Sequence, residues 1–255
     1  MKTIAEIMNF TETFAPLNSA MDFDNCGLLV GDRSTQVSKV LVCLDITPEV
    51  VKEALRKQAQ LVISHHPVIF NGLKSISSQS VPYMLIQNSL SALCLHTNLD
   101  LSVDFGVNTC LAEALQLKDT EYFMDKDREI CLAIGKTSHS FTEKKFAEHT
   151  KNCLNCRGLR FTTTGNTINT VAVSSGSGGG EVYLAKEKGA DVLVTGEIKH
   201  NQILDANKIG ISIVDAGHFK TENVVVAPLA KRLTEKFPDI CFEVSEVCSD
   251  LISYL

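Results

Sequence analysis

The chain contains an internal duplication, which limits the folds that it can adopt. When the sequence is shifted by 131 residues, a segment that begins near residue 39 matches one that begins near residue 170 without a gap. The matched positions are Val40, Val42, Ala54, Lys57, Ala59, Leu61 and Ile63 in the first copy and Val171, Val173, Ala185, Lys188, Ala190, Val192 and Val194 in the second. Most of these positions are apolar and are spaced as in buried strands and amphipathic helices, so we expect two similar halves.

Each copy has the pattern of a strand, a helix and a second strand. The predicted bounds are 39–44, 48–57 and 61–64 in the first copy and 170–174, 181–188 and 191–195 in the second. The strands are continuous apolar runs rather than alternating ones, which is typical of strands covered by helices on both faces. The sequence therefore predicts an α/β fold made of duplicated βαβ-containing halves with largely parallel or mixed sheets.

The boundaries of the halves follow from the limits of the duplication. Residues 1–119 are predicted to form the first half, 120–169 a connecting segment and 170–255 the second half. In each half a third predicted strand follows after a further helix. Ligands in α/β sheets bind beyond the carboxyl ends of the strands, so we expect the halves to be intertwined as one structural unit with a shared cleft.

Three short segments at the predicted ends of strands carry side chains that can bind metal. They are His65-His66, His96 to Asp100, and His218 to Glu222. Four of the seven histidines lie in these segments, so their grouping is more informative than any single histidine. Imidazole and carboxylate ligands together favour zinc, iron, manganese or nickel, whereas magnesium or calcium would call for oxygen ligands alone.

The spacing of these residues favours two metal ions. Neighbouring side chains on an extended backbone point to opposite sides, so His65 and His66 are expected to reach different ions. His218 and Glu222 are four residues apart and would share one helical face. A carboxylate such as Glu222 can bridge two ions that lie roughly 3.5 to 4 Å apart. The sequence thus predicts a dinuclear metal centre, with two divalent ions per chain.

Other residues with potential reactivity are given structural interpretations. His139 and His149 lie in segments without further ligands, whereas His200 could line the same cleft without binding metal. Cys153 and Cys156 have the spacing of a metal or redox pair, but a structural zinc site would need two more ligands nearby. The nine cysteines, several of them in apolar strand-like runs, are expected to be reduced thiols.

The glycine-rich turn at residues 176–180 leaves two interpretations open. In the first copy the equivalent place holds Thr47-Pro48-Glu49, which is an ordinary helix start. In the second copy the glycines would let backbone amides converge on an anion, so the turn could hold a phosphate. A flexible strand-to-helix turn explains the same residues equally well, because neither the dinucleotide fingerprint nor a P-loop is present.

The composition limits the functions of the chain. The 255 residues are 44% hydrophobic and 21% charged, which is ordinary for a globular protein. A net charge of −6 argues against a broad nucleic-acid-binding surface. No apolar run approaches the roughly 18 residues of a spanning helix, and residues 1–6 are typical of a capped helix rather than a secretion signal. We therefore expect a cytoplasmic protein with no membrane partner.

The motifs resemble those of a known family. Asp24-Asn25-Cys26-Gly27-Leu28, Ser64-His65-His66-Pro67, His96-Thr97-Asn98-Leu99-Asp100, Gly196-Glu197 and Gly217-His218 to Thr221-Glu222 occur in the order seen in the GTP cyclohydrolase I type 2 proteins, also called Ngg-interacting-factor-three-like proteins.

The resemblance covers nearly the whole chain. It implies a duplicated α/β fold, a two-metal site with the ligands His65, His66, Asp100, His218 and Glu222, and a ring-shaped homohexamer. Some relatives carry an extra domain between the halves. The roughly fifty residues available here are too few for one, so this chain resembles the short form.

The resemblance and the predicted ligands together favour a metal-dependent hydrolase. Paired cations lower the pKa of a bound water, and the resulting hydroxide can attack a substrate. For GTP, the attack would fall on C8 of guanine and open the imidazole ring, with His96 as the candidate proton carrier. Two alternatives remain open: a phosphoesterase, since two-metal sites also cleave phosphoesters, and a non-catalytic metal-binding scaffold that recruits protein partners.

Overall fold

The strands in the described part of the chain belong to three sheets. A computed structural model describes residues 2–125 and 129–255. Its strands, in chain order, are β1 (Lys2–Thr3), β2 (Gly27–Val30), β3 (Gln36–Val37), β4 (Lys39–Cys43), β5 (Leu61–Ser64), β6 (Ser91–Cys94), β7 (Lys118–Asp125), β8 (Ile130–Thr142), β9 (Arg160–Phe161), β10 (Thr167–Ser174), β11 (Val192–Thr195), β12 (Ser212–Asp215) and β13 (Cys241–Val244).

The helices alternate with these strands. They are α1 (Ile4–Thr11), α2 (Pro48–Arg56), α3 (Val81–Gln87), α4 (Thr97–Asp100), α5 (Val107–Ala114), α6 (Glu143–Cys153), α7 (Val182–Glu187), α8 (His200–Ile209), α9 (His218–Glu222) and α10 (Val226–Lys236). None of the described helices combines the length and the hydropathy needed to span a bilayer.

The chain divides into two compact units. The first contains Met1–Phe105 and Val226–Ser249, and the second contains Gly106–Val225 and Asp250–Leu255. Residues 120–169, which were predicted to connect the halves, supply most of β7 together with β8, α6 and β9, and all of these belong to the second unit. The duplication boundaries at residues 119 and 169 stay a prediction.

The first unit is built around a five-stranded sheet with the order β13-β4-β5-β6-β2. The strands β13, β4, β5 and β6 are parallel, and β2 pairs antiparallel with β6 at the edge. Strands β4, β5 and β6 are buried along their apolar residues, as expected when helices cover both faces, whereas the edge strand β13 is partly exposed. The predicted segment 61–64 matches β5, and the predicted helix and first strand each extend one residue beyond α2 and β4.

The second unit repeats this arrangement in a six-stranded sheet with the order β7-β8-β10-β11-β12-β9. Here β10, β11 and β12 are parallel, and the remaining strands pair antiparallel. Val40 pairs with Leu61 in the first unit, and Val171 pairs with Val192 in the second, so the register is the same under the shift of 131 residues. The predicted mixed α/β fold is confirmed.

The helices begin where the sequence provides caps. Thr47 accepts a hydrogen bond from the Val50 amide at the start of α2, and Pro48 occupies the first helical position, where its missing N–H has no cost. The second unit has no such cap at the equivalent place. Residues Gly178–Glu181 form a 3₁₀ turn before α7 begins at Val182, so the helix predicted over 181–188 starts a residue later than expected.

A buried carboxylate holds the end of the first unit's sheet in place. Glu53 on α2 is 1% exposed and accepts hydrogen bonds from the Ser245 hydroxyl at 2.5 Å and the Glu246 amide at 3.0 Å. Nζ of Lys57 lies 3.5 Å from Oε1 of Glu53. Burial alone would raise the pKa of Glu53, but the hydrogen bonds outweigh it and lower the pKa. The ionised carboxylate therefore fastens the segment after β13 to α2.

We predict that Glu53→Ala lowers the free energy of unfolding by about 2–3 kcal/mol at neutral pH, because it leaves Ser245 and the Glu246 amide without their acceptor. Chemical denaturation measures the change. The neighbouring Lys52 is exposed, so Lys52→Ala is the matched control and should change stability by less than about 0.5 kcal/mol.

The same variant has a pH dependence that follows from the lowered pKa. A depressed folded-state pKa stabilises the protein above the ordinary glutamate value of 4.5, and this contribution is lost as the pH falls through the folded-state pKa. The difference in the free energy of unfolding between wild type and Glu53→Ala should therefore become smaller in acid. An equal difference at neutral pH and at pH 3 would contradict this account.

Candidate metal centre

Three histidines of the first unit lie together at the carboxyl ends of neighbouring parallel strands. His65 and His66 follow β5, and His96 follows β6. One ring nitrogen of each lies within 4.8 Å of one ring nitrogen of the other two. The ring centroids are 5.0 Å apart for His65 and His66 and 5.1 Å for His65 and His96. The carboxyl ends of parallel strands meet at one edge of the sheet, so residues that are separated by thirty positions of sequence lie together.

The His65 and His66 rings are each held by a hydrogen bond at Nδ1. His65 is 2% exposed, and its Nδ1 lies 2.9 Å from the carbonyl oxygen of Leu95. Nδ1 of His66 lies 2.7 Å from Oδ1 of Asp45. A carbonyl oxygen and an ionised carboxylate only accept hydrogen bonds, so Nδ1 donates in both cases. In its neutral form, a ring held in this way carries its lone pair on Nε2, the arrangement in which a metal-binding histidine is usually found.

His96 is fixed in the same way by Asp24. Its Nδ1 lies 2.9 Å from Oδ1 of Asp24, whose other oxygen accepts from the Thr97 amide at 3.0 Å. Burial alone would raise the pKa of Asp24, but hydrogen bonds from His96 and its neighbours outweigh it and hold the pKa well below its usual value. The Asp24 carboxylate therefore orients the His96 ring.

Asp100 is brought to the histidines by α4. This short helix begins directly after His96, and its last residue turns back toward β5. One carboxylate oxygen of Asp100 lies 3.6 Å from Nε2 of the buried His65. The first unit thus places three imidazoles and one carboxylate, all predicted from sequence, within one small region.

His218 and Glu222 lie together in the second unit on α9, which follows β12. Nε2 of His218 is 3.0 Å from Oε2 of Glu222, as expected for positions four apart on a helix. Nδ1 of His218 is 3.0 Å from Oε1 of Glu197, so this ring is also held through Nδ1. A hydrogen bond from Ser177 and the charge of His218 lower the pKa of Glu197, which stays ionised.

Two glycines make room for the His218 and Glu222 pair. A Cβ atom at Gly176 would lie 2.0 Å from Oε1 of Glu222, and Gly176 has a φ of +55°. A Cβ atom at Gly196 would lie 2.5 Å from the Thr221 hydroxyl and 2.7 Å from Cα of His218. These contacts are shorter than side chains tolerate, so α9 can approach the strand ends only because both positions are glycine.

The glycine-rich turn uses its first amides within the protein. The Ser175 amide donates to Oδ1 of Asn108 at 2.9 Å, and the Gly176 amide donates to the Thr221 hydroxyl at 3.1 Å. These two amides therefore serve to hold the turn against α5 and α9. The turn at residues 176–180 is accordingly explained by close packing, and the phosphate interpretation gains no support from it.

A cavity of about 730 Å³ opens beside His218 within the second unit. Its walls combine apolar side chains, including Ile198 and Tyr254, with the charged groups of Arg160 and Lys199. Arg160 pairs with Asp215 at the end of β12. The volume lies in the range of small-molecule binding sites, so this unit has room for a ligand next to one of the predicted metal ligands.

The residues given structural interpretations from sequence belong to neither group of potential ligands among the described residues. His149 bonds to the Leu115 carbonyl at 3.1 Å, and His139 stacks on Phe141 at a centroid distance of 4.2 Å. His200 is exposed at the start of α8. Cys153 and Cys156 are free thiols, as are all nine cysteines. Sequence reasoning did not identify Asp45 and assigned no role to Glu197, although each follows the carboxyl end of a strand.

Comparison with known proteins places the chain in a family. The profile described as Duf34/NIF3 (NGG1p interacting factor 3) matches residues 2–253. A protein named GTP cyclohydrolase 1 type 2 homolog from Clostridium perfringens is 32% identical over 98% of both chains. A protein of the same name from Campylobacter jejuni is 35% identical over 90% of this chain and 91% of its own.

The solved structures agree with this assignment. A Staphylococcus aureus hypothetical protein superimposes with a TM-score of 0.91 at 31% identity, covering 99% of both chains. A GTP cyclohydrolase 1 type 2 homolog from the same species aligns over 366 residues, covering 99% of this chain and 100% of its own. That relative is longer than the 255 residues here, which confirms the short form. The chain therefore belongs to the Duf34/NIF3 family, whose curated relatives are named GTP cyclohydrolase 1 type 2 homologs.

Proposed function

We propose that the chain is a dinuclear metal-dependent hydrolase that acts on a nucleotide. Its two divalent ions, which would be zinc, iron, manganese or nickel, take His65, His66, Asp100, His218 and Glu222 as ligands. The proposal includes the homohexameric assembly and the cytoplasmic location expected from the sequence. The observation that carries it is that His65, His66 and His218 are each held at Nδ1 by a carbonyl or carboxylate oxygen, which is the orientation in which histidines bind metal through Nε2.

The donor set supports this choice of metal. Imidazole nitrogens with a few carboxylate oxygens suit borderline divalent ions and disfavour the hard oxygen-seeking ones. Few ligands for two ions also leave coordination positions open, as in catalytic rather than structural sites. Three of the histidines donate a hydrogen bond from Nδ1 to a carboxylate, which is that of Asp45, Asp24 or Glu197. These hydrogen bonds raise the basicity of the imidazole rings and fix their orientation.

The bound ions, His96 and Asp24 would have different roles in hydrolysis. The bound ions would supply Lewis acidity and a water of lowered pKa. His96 donates at Nδ1 to Asp24, so its Nε2 can accept a proton beside His65 and His66. The carboxylate of Asp24 would stabilise the imidazolium formed in this step, as the acidic partner of a catalytic histidine does.

The substrate part of the proposal comes from the relatives' names. They point to GTP, for which water adds at C8 of guanine and the imidazole ring opens. The cavity beside His218 provides space for a ligand of this general size. Phosphoester cleavage and a scaffold that turns over no substrate remain the competing functions, and the same experiment separates all three.

The test combines elemental analysis with turnover of GTP and of simple phosphoesters. We expect two metal equivalents per wild-type chain, loss of metal and activity in Glu222→Ala, and near-normal metal with turnover reduced at least about 100-fold in His96→Ala. The exposed Glu235→Ala is the control. Phosphoester turnover alone would replace the GTP reaction, and bound metal with no turnover would favour the scaffold. Absence of metal would refute the proposal.

We predict that Asp45→Ala lowers metal affinity about 10-fold, because His66 loses the acceptor that fixes its ring. Competition with a chelator measures the affinity of wild type and variant. The exposed Asp32→Ala removes an equal charge from the same unit and should leave the affinity unchanged. If Asp45→Ala and Asp32→Ala behave alike, the Nδ1 hydrogen bond of His66 has no role in metal binding.

We predict that Gly176→Ala reduces metal content by at least half, since its Cβ would displace the carboxylate of Glu222. Gly180 lies in the same turn and a Cβ there would meet nothing within 4 Å, so Gly180→Ala is a matched control. Metal content is measured by elemental analysis after circular dichroism has verified folding. Full metal content in a folded Gly176→Ala protein would remove Glu222 from the ligand set.

A further inference from the structure

Two phenylalanine rings lie exposed beside the histidine group of the first unit. Phe23 is 50% exposed and Phe70 is 45% exposed. Their centroids are 6.3 Å apart with an interplanar angle of 37°, so the rings touch without covering each other's faces. Exposed aromatic surface costs free energy in water, and a pair of such rings next to polar ligands is typical of a binding site.

Both rings are attached to a hydrogen-bonded framework rather than to a free loop. Phe23 directly precedes Asp24, which is held by His96 and Thr97. The residue before Phe70 is held as well, because Nδ2 of Asn25 donates to the Ile69 carbonyl at 2.6 Å. The turn that orients His96 therefore also positions the two rings, which reduces the entropy that a ligand would lose on ordering them.

The rings adjoin the reactive part of the unit. The Phe70 centroid lies 6.3 Å from that of His96, at an interplanar angle of 73°. Leu73 and Ile76, further along the same connection, are also exposed, but neither has a ring with which a planar group could stack. A planar group on Phe23 and Phe70 would thus sit at the edge of the histidine group.

We propose that Phe23 and Phe70 bind the planar heteroaromatic ring of the substrate, such as a purine, and hold it beside His96. Bases stack on phenylalanine with little dependence on their identity, so the pair selects for a flat ring rather than for one base. This proposal rests on the proposed function and adds a requirement to it. A ligand without a planar ring cannot make this interaction. Binding of a phosphate chain alone should therefore not depend on the two phenylalanines.

The test measures equilibrium binding to the metal-reconstituted full chain by calorimetry, with GTP and inorganic tripolyphosphate as probes. We expect Phe23→Ala and Phe70→Ala each to weaken GTP binding about 10-fold and to leave tripolyphosphate binding unchanged. Phe70→Tyr keeps an aromatic ring and should bind GTP within about 2-fold of wild type. Ile76→Ala removes exposed apolar surface from the same connection and is the control.

Several outcomes would overturn the ring site. The first two concern the alanine variants: equal weakening of GTP and tripolyphosphate binding, or unchanged GTP binding. The third is a wild-type protein that binds GTP no more tightly than tripolyphosphate. The fourth is an oligomeric state altered by the phenylalanine substitutions. The last would identify the rings as an interface between copies of the chain.

Metal content and GTP turnover in the same preparations separate this proposal from the previous one. Ring-dependent binding without turnover would leave the ring site standing and remove the hydrolase. Normal metal content and turnover in both alanine variants, with unchanged GTP binding, would leave the hydrolase standing and remove the ring site.

Discussion

Parallel pairing of three consecutive strands in each unit determines where the chemistry of this chain lies. In β4-β5-β6 and in β10-β11-β12 the carboxyl ends meet at one edge, and the residues that follow them are thereby brought together. His65, His66 and His96 need no special loop to become neighbours. Burial of the strands keeps this edge rigid, because their apolar side chains pack on helices from both faces. The proposed metal ligands thus lie at the ends of buried strands or on the short helices that follow them.

Rigid strands alone would leave the imidazole rings free to rotate. The carbonyl of Leu95 and three carboxylates remove that freedom by accepting from Nδ1 of the four histidines. Each such hydrogen bond fixes a tautomer and a direction before any ion binds, so metal binding would cost less conformational entropy. Asp24 shows how one turn can serve several purposes: it orients His96, accepts from Thr97 and follows the exposed ring of Phe23.

Sequence reasoning recovered the fold because the duplication and the continuous apolar runs are properties of local sequence. The segments 39–44 and 61–64 agree with β4 and β5 to within a residue. The helix predicted over 181–188 also agrees with α7 to within a residue at each end, although a 3₁₀ turn rather than a capping side chain precedes it. The partners of the histidines were missed, by contrast. Asp45 precedes His66 by 21 residues, and only the pairing of β4 with β5 makes them neighbours.

The two copies have diverged at the positions that matter most for chemistry. Under the shift of 131 residues, His65 and His66 correspond to Gly196 and Glu197, and Asp45 corresponds to Gly176. In the first unit a carboxylate at the end of β4 supports an imidazole at the end of β5. In the second unit the imidazole comes from α9, the supporting carboxylate is Glu197, and glycines replace the other two side chains because α9 occupies their space. One duplicated scaffold thus yields two ligand groups of different composition, each with its histidines fixed through Nδ1.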